Sequence, residues 1–343
     1  MLFARRDKLK LGIVVFEITD ACNQACKFCY NHFKGDGLCK VDAPDFSLAR
    51  RTLKRLLREA NIGSISLSGG EPMLMPRIHD LVLKARFAGA NVNILTNGTL
   101  LTDNDIAIFN DLGVGMLQIP LLADEASVHD GITQFAGSWE RALASARKVA
   151  ATKPGWLTPV LILSRLNVEH IEATMRLYAE MGCSYAMVNR FNIGGLGKCY
   201  ADELVLTHAE LRDAFRCVDR VAGELGISVH SGVCTPMCLL DPREYPNITF
   251  TNCSTDFSYR PLTVNYRGDV RFCNHSPRVL GNIYKESLAQ IIERASNDTY
   301  FDAVPDRCQG CELWQRCKGG CRAASEQVYG SFDKIDPVME LEK

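Results

Sequence analysis

The sequence predicts an α/β protein: a partly closed barrel of βα units followed by a small, cysteine-rich α+β domain. Three observations carry this expectation. From Leu11 to about Gly232, short β-rich runs alternate with amphipathic stretches of helical period, as in a parallel sheet with helices packed against it. After Gly232 the texture changes to Cys, Pro, Asn and aromatic residues with little helical period. The 15 cysteines are concentrated, with three in CNQACKFC (22–29) and a second group near the far end.

Taken in order, LGIVVFEIT (11–19), SISLS (64–68), NVNILT (91–96), VGMLQIP (114–120), TPVLIL (158–163) and YAMVNR (185–190) are the expected strands. SLARRTLKRLLREA (47–60) places Leu48, Leu53, Leu56 and Leu57 on one face and basic residues on the other, so it reads as a helix packed on the sheet. Similar helices are expected near 75–88, 102–112, 138–151 and 168–181. Thr102-Asp103 and Ser138 are the expected caps, and Gly89, Gly113 and Gly182 sit at the ends. Six such units close part of a barrel, and chemistry in barrels gathers at the C-terminal ends of strands. CNQACKFC, following the first strand, lies at such an end. The boundaries read 1–232 for the barrel, 233–330 for the second domain and 331–343 for a loosely held tail. In the second domain ESLAQIIERAS (286–296) alone keeps helical period.

With 343 residues, 47% hydrophobic and 23% charged, the chain is long enough for a sizeable core. A formal net charge of -1 gives no global attraction to polyanions, which disfavours nucleic acid as a partner. MLFARRDKLK lacks the apolar core of a signal peptide, and no later apolar run approaches the ~20 residues of a membrane helix. A cytoplasmic protein with no membrane contact is expected. In a reducing compartment, closely spaced thiols point to metal more than to disulfides.

Three thiols cannot complete a structural zinc site, which uses four protein ligands. They can hold three irons of a [4Fe–4S] cluster and leave the fourth open to a non-protein ligand. Half a zinc site completed by Cys39 or His32, or buried thiols without metal, are the plainer alternatives. Cys22, Cys26, Cys29 and the following Tyr30 resemble the cysteine motif of the radical S-adenosylmethionine superfamily. The likeness continues in SGGEP (68–72) after the second strand and TNGTLLT (96–102) after the third.

That resemblance implies a partial (β/α)6 TIM-like barrel and a cluster whose open iron is chelated by the amino and carboxylate groups of S-adenosylmethionine. An electron from the cluster then releases a 5′-deoxyadenosyl radical. It also implies cofactor contacts from Tyr30, Ser68, Gly69, Gly70 and Glu71, with Thr96 and Asn97 secondary. Gly69 and Gly70 allow close backbone approach, and Glu71 can accept from an ammonium group. Gly194 and Gly195 in NIGGLGK (192–198) are expected near adenosine. Many relatives carry Ser-Leu-Asp-Gly after the fourth strand, where this chain has Pro120-Leu121-Leu122-Ala123. Gln118 or Asp124 is then a candidate replacement, and a more apolar substrate side is expected. His129 and Asp130 read as structural more than as acid–base groups.

The second cysteine group runs Cys253-x14-Gly268-x4-Cys273 and then Cys308-x2-Cys311-x5-Cys317-x3-Cys321. It resembles the SPASM extension, which adds auxiliary [4Fe–4S] clusters; a four-cysteine zinc ribbon is the alternative for the last four. NYRGDVRFC (265–273) reads as a β-hairpin that aims Cys273 toward Cys253. The resemblance implies that Cys253, Cys273 and Cys321 share a first auxiliary cluster, with Cys238 as fourth ligand and Cys234 a poorer candidate. Cys308, Cys311 and Cys317 would hold a second. Its last cysteine is expected beyond Cys321, where the sequence has none. An open iron, a carboxylate such as Asp333 or Asp336, a borrowed cysteine, or absence of this cluster would each account for that. Cys39, Cys183, Cys199 and Cys217 read as ordinary thiols.

The resulting expectation is an enzyme that abstracts a substrate hydrogen, with one or two auxiliary clusters assisting, fed by an electron donor such as flavodoxin or ferredoxin. A peptide is the first substrate expected, modified by a crosslink, thioether or oxidation. The motif begins 22 residues in, so recognition would fall to the barrel mouth, the second domain or a separate peptide-recognition protein. Radical oxidation, decarboxylation or rearrangement of a small molecule of sugar or tetrapyrrole type is the enzymatic alternative, and an iron–sulfur or zinc interaction module the non-enzymatic one. No catalytic acid, base or radical donor is identified.

Overall fold

The computed structural model describes residues 8–34, 42–254, 256–257, 259–298 and 302–340. Cys39 lies outside them. The first part alternates β1 (Leu9–Thr19), α1 (Phe46–Glu59), β2 (Ala60–Gly69), α2 (Ile78–Phe87), β3 (Asn91–Leu95), α3 (Asp103–Asp111) and β4 (Met116–Pro120). It continues with α4 (Ala126–Thr133), α5 (Ser138–Thr152), β5 (Leu157–Leu163), α6 (Ile171–Glu180), β6 (Tyr185–Arg190), α7 (Ala201–Leu204), α8 (His208–Leu225) and β7 (Ser228–Ser231). Then come β8 (Ile248–Phe250), β9 (Leu262–Asn265), β10 (Asp269–Arg271), β11 (Val279–Asn282), α9 (Leu288–Ser296), α10 (Trp314–Cys317) and α11 (Arg322–Tyr329).

All six expected strands form, because each is an apolar run buried by helices. In α1, Ala49, Leu53, Leu56 and Leu57 are buried while Arg50, Arg51 and Arg58 are exposed. Each such leucine contributes about 1.5–3 kcal/mol of apolar burial. Asp45 caps this helix by accepting from Leu48 N, and Thr102 and Asp105 form a reciprocal capping box on α3. Ser138 departs from expectation. It is the first helical residue, while Gly137 holds the cap position at φ 76°.

The sheet does not stop at residue 232. Its order is β11-β10-β9-β1-β2-β3-β4-β5-β6-β7-β8, so β7 and β8 extend one side of the barrel wall and β9 adds to the other. β9 pairs in parallel with the C-terminal half of β1, from Val14 opposite Leu262 to Glu17 opposite Asn265. β8 and β9, which flank Cys253 in the chain, therefore lie on different sides of the sheet. Across β1 and β10, the buried Glu17 and Arg271 form an ion pair. One apolar core runs continuously from Leu11 to Met339.

The described part of the tail is anchored at residues 335–339. Ile335, Asp336, Pro337, Val338 and Met339 are buried, and Asp336 pairs with Arg190 at the end of β6. Its polar composition concealed an apolar face and a carboxylate whose partner lies 146 residues away.

Candidate active site

The two loops following β1 and β2 are bound edge to edge. Gly70 N donates to Thr19 O at 2.8 Å and Glu71 N to Ala21 O at 2.7 Å, which fixes SGGEP against the entry to CNQACKFC. A Cβ at Gly69 would overlap the carbonyl of Thr19, and one at Gly70 that of Ala21. The glycines thus serve backbone packing of the cysteine loop as well as lining the adjacent cavity.

That cavity, about 470 Å³, is bordered by Cys22, Cys26 and Cys29 and by Ser68 to Glu71. Burial, and then the neighbouring Cys29 and Cys22, push the Cys26 thiol well up. Lys34 donates to Gln24 O at 3.0 Å. Burial works against its charge, but Cys29, Cys22 and Cys26 raise its pKa above the ordinary value, so a cation sits where thiolate charge collects. His32 does not border the cavity, and its Nδ1 accepts from Arg271 at 3.0 Å.

Glu71 is buried, and burial raises its carboxyl to about 6 against the hydrogen bonds it accepts. Its Oε1 accepts from Thr96 Oγ1 at 2.6 Å and Met73 N at 2.9 Å, and its Oε2 from Asn97 N at 2.7 Å. A carboxylate has about four acceptor sites, so one remains for a ligand donor. Asn97 Nδ2 in turn donates to Asn23 Oδ1 at 2.8 Å, within the cysteine loop. Thr96 and Asn97 thus hold Glu71 and the loop in register.

Tyr30 borders the cavity, but its ring is stacked on His275, with centroids 3.9 Å apart, and its hydroxyl accepts from Asn274 Nδ2 at 2.6 Å. Phe28, which sequence reasoning missed, also borders the cavity and packs against Phe191, Ile193 and Leu204. The expectation for Gly194 and Gly195 is corrected. They do not border the cavity; a Cβ at Gly195 would overlap Asn31 O and approach Tyr30 C at 2.6 Å, so they lie behind the cysteine loop. Gln327 ties this arrangement together, accepting from Gly195 N at 2.7 Å and donating to Tyr30 O at 3.2 Å and His275 O at 2.7 Å.

The fourth strand leads into an apolar wall. Leu121, Leu122 and Ala123 are fully buried, and Pro120, Val160, Ile162 and Met187 face the cavity with Gln118. Asp124 instead bonds His170 at 2.7 Å. His129 Nδ1 accepts from Leu122 N at 3.1 Å, and burial lowers its pKa to about 4. Asp130 accepts from Gly137 N and Trp139 N at the start of α5. His129 also borders the cavity, whereas Asp130 does not.

The same cavity is bordered by Cys234, Cys253, Cys273 and Cys321. Cys234 lies beside Cys253, with Cys321 and Cys273 near it. Cys238 is not in this group. It faces Cys317 and Cys311, and Cys308 lies beside Cys317, Cys238 and Cys311. The expected grouping of Cys238 with Cys253, Cys273 and Cys321 is therefore corrected. The resemblance offered Cys238, in TPMCLL, ahead of Cys234 but could not say which way each turns.

As trios, the cysteine sulfurs stand farther apart than a single zinc ion requires, which leaves room for a larger centre. Tetrahedral zinc with bonds of about 2.3 Å needs sulfurs about 3.8 Å apart. Among the described residues, no three cysteine sulfurs lie within 4.8 Å of one another. None of the described cysteines is joined in a disulfide. Burial keeps isolated thiols protonated, whereas coordination deprotonates them outright.

A family model for the radical SAM superfamily matches residues 16–178, and one for the SPASM iron–sulfur cluster-binding domain matches residues 253–318. The chain is 25% identical over 336 residues to the PqqA peptide cyclase of Gluconobacter oxydans (strain 621H), covering 95% of this chain and 89% of that protein. It is also 25% identical over 334 residues to the PqqA peptide cyclase of Xanthomonas oryzae pv. oryzae (strain MAFF 311018), covering 95% and 87%. Streptococcus suis SuiB bound to precursor peptide SuiA superposes with TM-score 0.75 at 15% identity, covering 97% of this chain and 76% of that one. Native anSMEcpe with bound AdoMet gives TM-score 0.69 at 16% identity, covering 96% and 94%. These structures share its fold.

Proposed function

Because the chain belongs to the radical SAM superfamily and carries the SPASM extension, we propose that it is an enzyme that cleaves S-adenosylmethionine reductively to modify a peptide. The observation that carries this reading is one cavity bordered both by Cys22, Cys26, Cys29 and Glu71 and by Cys234, Cys253, Cys273 and Cys321. When bound, a [4Fe–4S] cluster and S-adenosylmethionine supply a 5′-deoxyadenosyl radical able to remove a hydrogen atom.

In this reading Cys22, Cys26 and Cys29 hold the cluster, and Lys34 offsets its charge. Ser68, Gly69, Gly70 and the free acceptor site of Glu71 receive the amino acid end of the cofactor. Thr96 and Asn97 orient Glu71, while Phe28 offers an aromatic face for the adenine and Tyr30 braces the loop against the second domain. The apolar wall of Pro120, Val160, Ile162 and Met187 excludes water from the reacting carbon.

Similarity to peptide cyclases along 95% of the chain supports a peptide over a sugar or tetrapyrrole. We place the enzyme in the cytoplasm, where thiols stay reduced; no helix among the described residues is long and apolar enough to cross a membrane. Its partners in this reading are a flavodoxin- or ferredoxin-type electron donor and a separate peptide-recognition protein.

Peptides translated from short reading frames beside its gene are the test. One of them should accelerate 5′-deoxyadenosine release by the reduced, iron-loaded protein and change mass in the same reaction. Acceleration by a sugar or tetrapyrrole, with every such peptide unchanged, overturns the peptide assignment.

Glu71 adds a pH dependence. With its carboxyl near 6, the ionised acceptor dominates above that pH and the protonated form below it. Affinity for S-adenosylmethionine should therefore fall about tenfold between pH 7.5 and pH 5. Equilibrium binding to iron-loaded protein checks this, and Glu71→Gln should remove the step. A wild-type profile flat over that range contradicts the assigned contact.

A further inference from the structure

We infer that Cys238 is the fourth ligand of the second auxiliary [4Fe–4S] cluster, so that the single turn Cys234-x3-Cys238 supplies one thiolate to each of the two auxiliary centres. This rests on the iron–sulfur reading above but not on the peptide substrate.

The geometry comes from two segments of equal spacing laid across each other. Cys234-x3-Cys238 faces Cys317-x3-Cys321, with Cys234 beside Cys321 at one end and Cys238 beside Cys317 at the other. Between them, Met237 N donates to Cys317 Sγ at 3.3 Å. At the crossing, a Cβ on Gly320 would approach Pro236 Cδ at 2.7 Å and Asp336 Oδ2 at 2.7 Å, so only glycine lets the segments meet this closely.

The backbone explains why neighbouring cysteines part company. Lys318, Gly319 and Gly320 are consecutive residues with φ of 53°, 74° and 88°. A left-handed run of three, rare outside glycine, turns the chain between Cys317 and Cys321. Cys321 then joins the cavity-facing group while Cys317 turns the other way. Leu239 N and Leu240 N both donate to Pro236 O, closing the facing turn around Cys238.

The carboxylates that the sequence offered as substitutes are engaged elsewhere. Asp336 accepts from Arg190 and from Cys321 N, and Asp333 is hydrogen-bonded to Ser331. Cys238, Cys308, Cys311 and Cys317 all lie off the cavity, with Cys238 and Cys311 exposed. A centre held by these four thiolates has no open iron and no access to substrate in the cavity. It is built for electron exchange, and the vacancy suggested by the missing downstream cysteine is filled from upstream.

Exposure supplies the test. Cys199 and Cys238 are both exposed, but only Cys238 is assigned to a metal. In anaerobic, iron-loaded protein treated with iodoacetamide, Cys238 should be alkylated at least about tenfold more slowly than Cys199, and chelation of the iron should erase the difference. Cys238→Ala should lose about one iron per chain and show a three-iron cluster by electron paramagnetic resonance after oxidation. Cys199→Ala should change neither. Cys238 alkylated as fast as Cys199 in protein that carries its iron overturns this ligand assignment alone. A chain that takes up zinc and no iron overturns the family chemistry with it.

Discussion

Cys26→Ala is expected to lower 5′-deoxyadenosine formation by the reduced, reconstituted protein by more than about 100-fold, to the background of free iron and sulfide. Outer partners of a metal site cost about 10–100-fold when removed, and a direct ligand should exceed that. Cys26 is the middle thiol of the loop, pinned by Cys29 N donating to Cys26 O at 3.0 Å and by Lys27 N donating to Ile132 O at 2.9 Å. The loop's shape therefore survives the loss of the sulfur. About four irons should be lost per chain, while the auxiliary centres, bound by other segments, keep theirs. Iron analysis beside the activity assay separates this from general unfolding, which would empty every site. Retention of full cleavage activity would remove the assigned role of the first cysteine group.

Asp336→Ala should destabilise the protein by about 3–5 kcal/mol, because it leaves the buried guanidinium of Arg190 without its counter-charge. Both side chains are at most 2% exposed, so water cannot replace the lost carboxylate. Arg190 also donates to Thr235 Oγ1 at 3.1 Å and Cys234 O at 3.0 Å, and Asp336 accepts from Cys321 N at 2.7 Å. The pair thus fastens the end of β6, the Cys234 turn and the Cys321 backbone to the tail. Denaturant unfolding of the variant measures the effect. A shift below about 1 kcal/mol, the range of an exposed pair, would contradict this account of the tail.

The barrel was legible because its signals are local. Val14, Phe16 and Ile18 in β1, or Leu53, Leu56 and Leu57 in α1, carry their period within a few residues. SGGEP and CNQACKFC were likewise readable as short motifs at strand ends. What escaped was long-range. β8 and β9 are only three and four residues long, so their membership of the barrel sheet depends on partners far along the chain. The assignment of Cys234 and Cys238 depends on how the left-handed Lys318-Gly319-Gly320 segment turns. The glycines in that segment and the matching Cys-x3-Cys spacing were the available signals. The buried Asp336 and the bracing role of Gln327 left no comparable mark, since a polar residue in a sequence does not announce a partner over a hundred residues away.

The most direct measurement is product analysis after the iron-loaded, reduced protein is incubated with S-adenosylmethionine under anaerobic conditions. The site built by Cys22, Cys26, Cys29 and Glu71 predicts 5′-deoxyadenosine and methionine in equal amounts, dependent on reductant. Intact S-adenosylmethionine, in protein shown to carry its first cluster, would contradict the proposed chemistry.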